Sequence, residues 1–447
     1  MTSPIEAIYF ALTEAARFQQ AFEERRFDVL DREKMDAFWT LPRTDDKGDL
    51  ICGKAAGQQL FDTMVRLVER SSYRGRINLK LLYGAYKREI MLRFVDQNQD
   101  LSDENADAAF EAALAPSLTR LGNFTHIIPC HLVMAKNPDR LELGPVTFWR
   151  RETYWSKVSD MLAAHESMRT SPGIDADDIS AYYGMFDWLA EVHVVNCEEE
   201  PSREIAQRMA WSAIDCVQLL IGVGSLERMN LGGVAIASDR RSHVILQGDR
   251  IASLQMTLQG RDVTLGDETW SQMEFPDVRH VLDLMATAIA EAYRLPKPAI
   301  VSERFIDAVH WFGLAMRDTE PSSRLIMMIM AIARLLLPLK VSAIESAVRS
   351  RSEPFIEWEK HNRRVEAIYA ARGKLAHGQL SARAPEVIEA CRDAQKLAQA
   401  VLVEVLCYCD YRALRDMNVT LEMMQLSLIN YARASVERRK LNCKPTT

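Results

Sequence analysis

The chain has 447 residues, 48% of them hydrophobic and 26% charged, with a net charge of −7. That length accommodates two or three domains, each with a sizeable core, and the mixture is an ordinary globular one. Bulk charge of this sign does not draw a protein to nucleic acid, so binding of that kind requires a local basic patch.

From residue 5 to about 120 the apolar spacing is near 3.6, as in "IEAIYFALTEAARFQQAFEERRFDVL" and "GQQLFDTMVRLVERSS", and predicts helices. "SDENADAAFEAALAPSL" adds a helix that starts on a capping serine or aspartate. The first twenty residues lack a basic segment, a long apolar core and a small-residue cleavage site, so no signal peptide is expected. The texture then changes. "THIIPCHLVMAKNPDRLELGPVTFWRRE" alternates about Asn137-Pro138-Asp139 and predicts a β-hairpin. Beyond the loop "RTSPGIDADD" come a helix in "DISAYYGMFDWLA", a strand in "EVHVVNC" and a long helix in "SREIAQRMAWSAIDCVQLLIG". Strands are predicted in "GVAIASD" and "SHVILQG", either side of a basic turn at Arg240-Arg241, and a further hairpin in "SLQMTLQGRDVTL".

A helix in "DVRHVLDLMATAIAEAYR" leads to "LPKPA", where Pro296 and Pro298 mark the best linker in the chain. Only helices are predicted after it, at about 301–317, 322–337, 355–377, 384–410 and 419–440, with a loose tail in "ERRKLNCKPTT". The reading is therefore α+β and predominantly helical: a helical region over 1–120, a mixed α+β region over 121–293 with a sensing or regulatory role, and an all-α bundle over 297–440.

Most motifs that could carry chemistry have a plainer structural reading. Gly222-Val223-Gly224 follows a helical run and lacks a following Gly-Lys-Ser/Thr, so a helix C-cap is expected. Asp175, Asp177 and Asp178 precede a helix, where acids favour the dipole. On a strand His126 and Cys130 share a face while His131 points away, which does not complete a tetrahedral ligand set. Cys407 and Cys409 read as packing residues, and the eight scattered cysteines as reduced thiols, which suits the cytoplasm. "LIMMIMAIARLLLPL" is too short for a membrane span and carries Arg334, so a buried helix is expected. No metal, cofactor or membrane partner is expected.

One stretch is different. Between Lys340 and Arg383 stand nine Lys/Arg against five Asp/Glu, a net +4, whereas the remainder of the chain is −11. In "VEAIYAARGKLAHGQLS" the apolar stripe Val365, Ile368, Tyr369, Leu375, Ala376 is interrupted by Arg372, which falls within about 20° of Val365 at 100° per residue. Gly378 is a natural residue to follow a helix end, so His377 is expected at that end. Arg363, Arg364 and Lys374 lie close by.

"IYAARGKLAHG" resembles the signature of HEPN domains, helical bundles with an arginine, four to six residues, then a histidine near a helix end. It is most similar to the Apea-like branch, and "RFIDAVHWFGLAMRD" and "SSRLIMMIMAIARLLL" resemble that branch's first and second helices, so the likeness covers about 300–410. The resemblance implies a homodimer that sets two Arg/His motifs face to face, and a metal-independent ribonuclease, often a toxin or anti-phage effector. Arg372 and His377 would be the catalytic residues, and Arg363, Arg364 and Lys374 would hold RNA phosphates. A non-catalytic HEPN-like module for RNA binding or dimerisation is the alternative.

Overall fold

The computed structural model describes residues 3–24, 39–42, 49–133, 139–164, 176–222, 229–232, 240–247, 250–258, 271–338, 341, 343–356 and 361–442. The architecture is α+β and predominantly helical. The chain divides into two compact units, one made of Met1–Phe124, Val194–Glu204 and Leu295–Lys297, the other of Thr125–His193, Ile205–Arg294 and Pro298–Thr447.

The first unit is built on α1 (Pro4–Glu23), α2 (Lys54–Arg70), α3 (Leu79–Ile90) and α4 (Asp103–Thr119). Their starts are written in the sequence. Ser3 and Glu6 form a reciprocal capping box on α1, Asn78 accepts from the amides of Lys80 and Leu81 on α3, and Ser102 caps α4. Ile8, Leu60, Met64, Leu82 and Tyr86 are fully buried in one core. Ile8, Leu60, Met64 and Leu82 each contribute about 1.5–3 kcal/mol by leaving water. A small antiparallel pair, β1 (Trp39–Leu41) and β2 (Leu50–Cys52), joins this unit and has no counterpart in the helical reading. Three-residue strands are too short to imprint an alternation.

β3 (Gly122–His131), β4 (Arg140–Leu143), β5 (Val146–Arg150), β6 (Trp188–Cys197) and β7 (Asn230–Leu231) form a sheet in the order β4-β5-β6-β3-β7, most of whose residues belong to the second unit. The expected hairpin is placed differently. Two strands lie between β3 and β4, and the hairpin is β4–β5, turning at Gly144-Pro145. Gly144 has φ +60° and a Cβ there would sit 2.3 Å from the Ala286 carbonyl oxygen, so glycine is required. Of the turn signal Asn137-Pro138-Asp139, residues 137 and 138 lie outside the described residues.

Helices α5 (Arg151–Ala164) and α6 (Ala176–Tyr183) follow β5. The helix expected through "DISAYYGMFDWLA" stops at Tyr183, and Trp188, Leu189 and Ala190 instead open β6 as a buried run paired with β5. Such runs read alike as helix or central strand. Of the acidic cluster, Asp175 lies outside the described residues. α7 (Glu199–Ile221) ends at Gly222, at φ +63°, which is the expected cap. "GVAIASD" and "QGRDVTL" lie outside the described residues. β8 (Arg240–Gln247), which holds the expected "SHVILQ" strand, pairs with β9 (Arg250–Leu258), so Arg240 and Arg241 belong to a strand, and "SLQMTL" of the further expected hairpin lies in β9 with β8 as its partner.

The remaining helices are α8 (Pro276–Ala292), α9 (Ile300–Arg317), α10 (Pro321–Leu336), α11 (Ile344–Ser352), α12 (His361–Ala376), α13 (Pro385–Tyr411) and α14 (Leu421–Asn442). α9 packs on α10, α10 on α13, and α12 on α13. Phe305, Phe312, Leu325, Met328, Val401 and Leu402 are buried there. α11 is an addition to the sequence reading. α14 runs on to Asn442, into the stretch expected to be loose, and residues 443–447 lie outside the described ones. No helix among the described residues is long and apolar enough to cross a membrane.

Candidate functional site

α12 closes as its sequence implies. Gly378 takes φ +69°, its amide donates to the Leu375 carbonyl at 3.0 Å, and the Gln379 amide reaches back to Lys374 at 2.8 Å. Both orphan carbonyls are thus satisfied by backbone, which leaves the His377 side chain free of a capping duty. His377 is exposed.

Of the expected apolar stripe of α12, Val365 and Ile368 are buried together with His361 and Ala371, Tyr369 and Leu375 are half-buried, and Ala376 is exposed. Arg372 keeps to the line of Val365 but emerges into solvent. Neither Arg372 nor His377 has a side-chain partner among the described residues. Tyr369 lies on the Arg372 side of the helix. Burial pushes its phenol up, with Arg372 acting against that rise and Glu345 with it.

The other three cations gather elsewhere. Arg363, Arg364 and Lys374 line one wall of a groove of about 520 Å³ between α12 and α13, floored by Ala367, Ala370, Ala371 and Ala390. Nine residues separate Arg363 from Arg372, about two and a half turns, so the two leave α12 on opposite sides. The structure therefore brings Arg363, Arg364 and Lys374 together and does not bring Arg372 or His377 to them.

The opposite wall carries Glu386, Glu389 and Asp393, all on α13. Asp393 approaches Arg364 at 3.9 Å. Three charges of each sign nearly cancel the groove's pull on a polyanion. These carboxylates escaped the sequence reading, although the spacing 386, 389, 393 in "PEVIEACRD" puts them on one helical face.

Much of the basic window is also spent on pairs within the chain. Arg349 pairs with Glu366, Arg383 with Glu320 at 3.2 Å, and Arg351 donates to the Leu336 carbonyl at 2.6 Å and to Gln425 at 2.7 Å. Arg363, Arg372 and Lys374 remain without a partner among the described residues.

A second polar cluster was not foreseen. Asp215 of α7 is fully buried, accepting from Arg317 at 2.6 Å and lying 3.1 Å from His310 Nδ1, both on α9. Arg317 lies over the Trp211 ring at 4.6 Å. The cluster exists because Gly313 leaves a notch, where a Cβ would come within 2.0 Å of Asp215 Oδ1. Its signal was a lone carboxylate in "AWSAIDCVQLL" and a lone glycine in "VHWFGLAM".

The remaining motifs are packed. Cys130 and His131 are buried, with His131 4.7 Å from the Phe186 ring. Burial pushes the Cys409 thiol up to about 12 and raises that of Cys407. The seven described cysteines are free thiols. No group of three or more His, Cys, Asp or Glu among the described residues is arranged to hold a metal ion. Comparison with protein-family models, with curated proteins and with solved structures returns no match.

Proposed function

We propose that the chain is a metal-independent, HEPN-type endoribonuclease in which Arg372 and His377 are the reacting pair. One observation carries the reading: an arginine in line with a buried stripe emerges, unpartnered among the described residues, five residues before an exposed histidine that a glycine has released from capping. The Arg372 fork binds the scissile phosphate and stabilises the charge that builds on it. His377 takes the proton of the ribose 2′-OH or protonates the departing 5′-oxygen, for which an imidazole is suited near neutrality. The 2′-oxygen bonds to phosphorus as the bond to the 5′-oxygen breaks, which leaves a 2′,3′-cyclic phosphate and a 5′-hydroxyl.

The test is RNA incubated with the full chain in EDTA, with product ends analysed. Wild type should yield 2′,3′-cyclic phosphate ends, and His377→Ala and Arg372→Ala should each reduce cleavage by at least about 100-fold. A wild type inert on structured and unstructured RNA alike, or a His377→Ala protein as active as wild type, ends the proposal.

The alternative is a non-catalytic module of the same bundle. The acidic wall of Glu386, Glu389 and Asp393 favours it, since a charge-balanced groove suits a protein surface better than a phosphate backbone. Cleavage absent together with self-association retained is the outcome it requires.

A further inference from the structure

Asp215, His310 and Arg317 take no part in the reaction proposed above, and their arrangement is more than a buried ion pair. Asp215 is fully buried, and each of its carboxylate oxygens has one charged partner. Oδ1 accepts from Arg317 at 2.6 Å, and Oδ2 lies 3.1 Å from His310 Nδ1. Gln218 accepts from the same Arg317 nitrogen at 3.1 Å, which fixes the guanidinium in place. Paired with Arg317, Asp215 is a carboxylate and only accepts. His310 must therefore present an N–H at Nδ1, so the lone pair of the neutral ring is at Nε2. The imidazole is 49% exposed although its partner is wholly covered. Nε2 has no partner among the described residues. A ring held in one tautomer with its basic nitrogen outward is the form in which an imidazole acts as a nucleophile. We propose that His310 is a phosphoryl-acceptor residue, phosphorylated at Nε2 by a donor of the phosphoramidate class, to which a phosphohistidine on another protein belongs.

The surroundings select this chemistry over the others open to an imidazole. A metal site fails on donors: Asp215 has both oxygens engaged, and no group of three ligating side chains stands together among the described residues. General-base work on a small substrate needs a cleft beside the ring. Neither the groove between α12 and α13 nor a cavity of about 210 Å³ at Arg140 and Arg279 includes His310. His310 stands instead on an open helix face, which a donor carried on another protein can reach. A transferred phosphoryl group brings about two negative charges. One turn before His310 on the same face of α9, Asp307 holds Arg334 of α10. Arg334 is the cation placed to turn toward the new charge.

The transfer balances without a further reactant. The Nε2 lone pair attacks phosphorus, the N–P bond of the donor breaks, and the donor nitrogen leaves with the bonding pair. Phosphoramidate, whose nitrogen is already protonated, releases ammonia. Nδ1 keeps its proton, so the ring gains a positive charge as the new N–P bond forms. The Asp215 carboxylate faces that charge at Nδ1. Because the charge is already developing in the transition state, the pairing speeds the attack. Gly313 makes it possible, since a Cβ there would occupy the carboxylate's place. His310 is on α9 and the pair proposed to cleave RNA is on α12, so this inference does not rest on that reading.

The test is potassium phosphoramidate added to the full chain, with labelled positions mapped by mass spectrometry under the alkaline conditions that preserve phosphohistidine. His377 and His193 are controls within the same molecule. Both are exposed, and neither has a buried carboxylate at Nδ1, that of His193 being turned to Thr125. His310 should label at least about tenfold faster than either. Phosphorus NMR should place the group on Nε2, and Asp215→Asn should bring the His310 rate down to that of the controls. Nitrogen-15 NMR of wild type in mildly alkaline solution tests the same pairing without a mutation, and the Nδ1–H tautomer of His310 is expected. The Nε2–H tautomer overturns the proposal. Labelling of His310 no faster than the controls, or labelling at Nδ1, does the same, as does an Asp215→Asn protein that folds and labels like wild type. Should that variant fail to fold by circular dichroism, the tautomer and the rates within wild type decide.

Discussion

The C-terminal ends of α10 and α12 each have arginines at hand, and they use them in opposite ways. At the end of α10 Arg304, only 3% exposed, donates to the carbonyls of Arg334 and Leu337, and Arg351 donates to that of Leu336. The carbonyls there have no backbone solution, because the chain leaves through extended Leu337 toward Pro338. Side chains supply it, and a guanidinium near a helix C-terminus also meets the favourable end of the dipole. Burial holds the Arg304 guanidinium down to about 10, helped by the nearby Arg334 charge, a cost accepted for that role. At the end of α12 the backbone closes itself through Gly378, and Arg372 and His377 have no such work. What a helix end lacks decides whether a neighbouring cation is structural or available to a ligand.

The comparison breaks most readily at Arg304. Arg304→Ala strands two buried carbonyls and should cost about 3 kcal/mol or more, read by urea or thermal unfolding. An Arg304→Ala protein as stable as wild type would remove the distinction between the two ends. Gly378→Ala should cost about 1–2 kcal/mol, because a residue with a Cβ must hold φ +69° to keep the same closure. Gly373→Ala goes the other way: nothing lies within 4 Å of a Cβ there, so it should gain about 0.5–1 kcal/mol as a better helix former. Reduced RNA cleavage in that stabilised protein would show that the open space beside Arg372 is used by substrate. Arg372→Ala should be the smallest, within about 0.5 kcal/mol in stability, since its exposed guanidinium has no partner among the described residues. A large loss of stability there would make Arg372 structural, like Arg304.

How much of this was legible follows from the range of each interaction. The period-3.6 stripes, Ser102 as a cap, and Gly378 as the closure of α12 are local and were read directly. The position of Arg372 on the stripe was legible too. Its exposure was not, because that depends on whether another element covers the last turn of α12. The pairing of β5 with β6 joins Thr147 to Glu191, far apart in the chain, and alternation within each run is silent about its neighbour. The groove shows the same limit in charge. A basic window that ends at Arg383 stops three residues short of Glu386, the first carboxylate of the facing wall.

The Gly313 notch carries a consequence for motion. Asp215 reaches His310 and Arg317 only where α9 lacks a side chain, and both flanking residues, Phe312 and Leu314, are bulky. Sliding α7 along α9 by a turn would replace the notch with the side chains one turn away, Val309 and His310 or Met316 and Arg317, and disturb the contacts of Asp215 with both cations. Packed helices commonly accommodate ligands by such small shears. Here that mode is blocked, so any rearrangement between α7 and α9 has to be a hinge about this point or a complete separation, and the barrier to it is set by one missing methyl group.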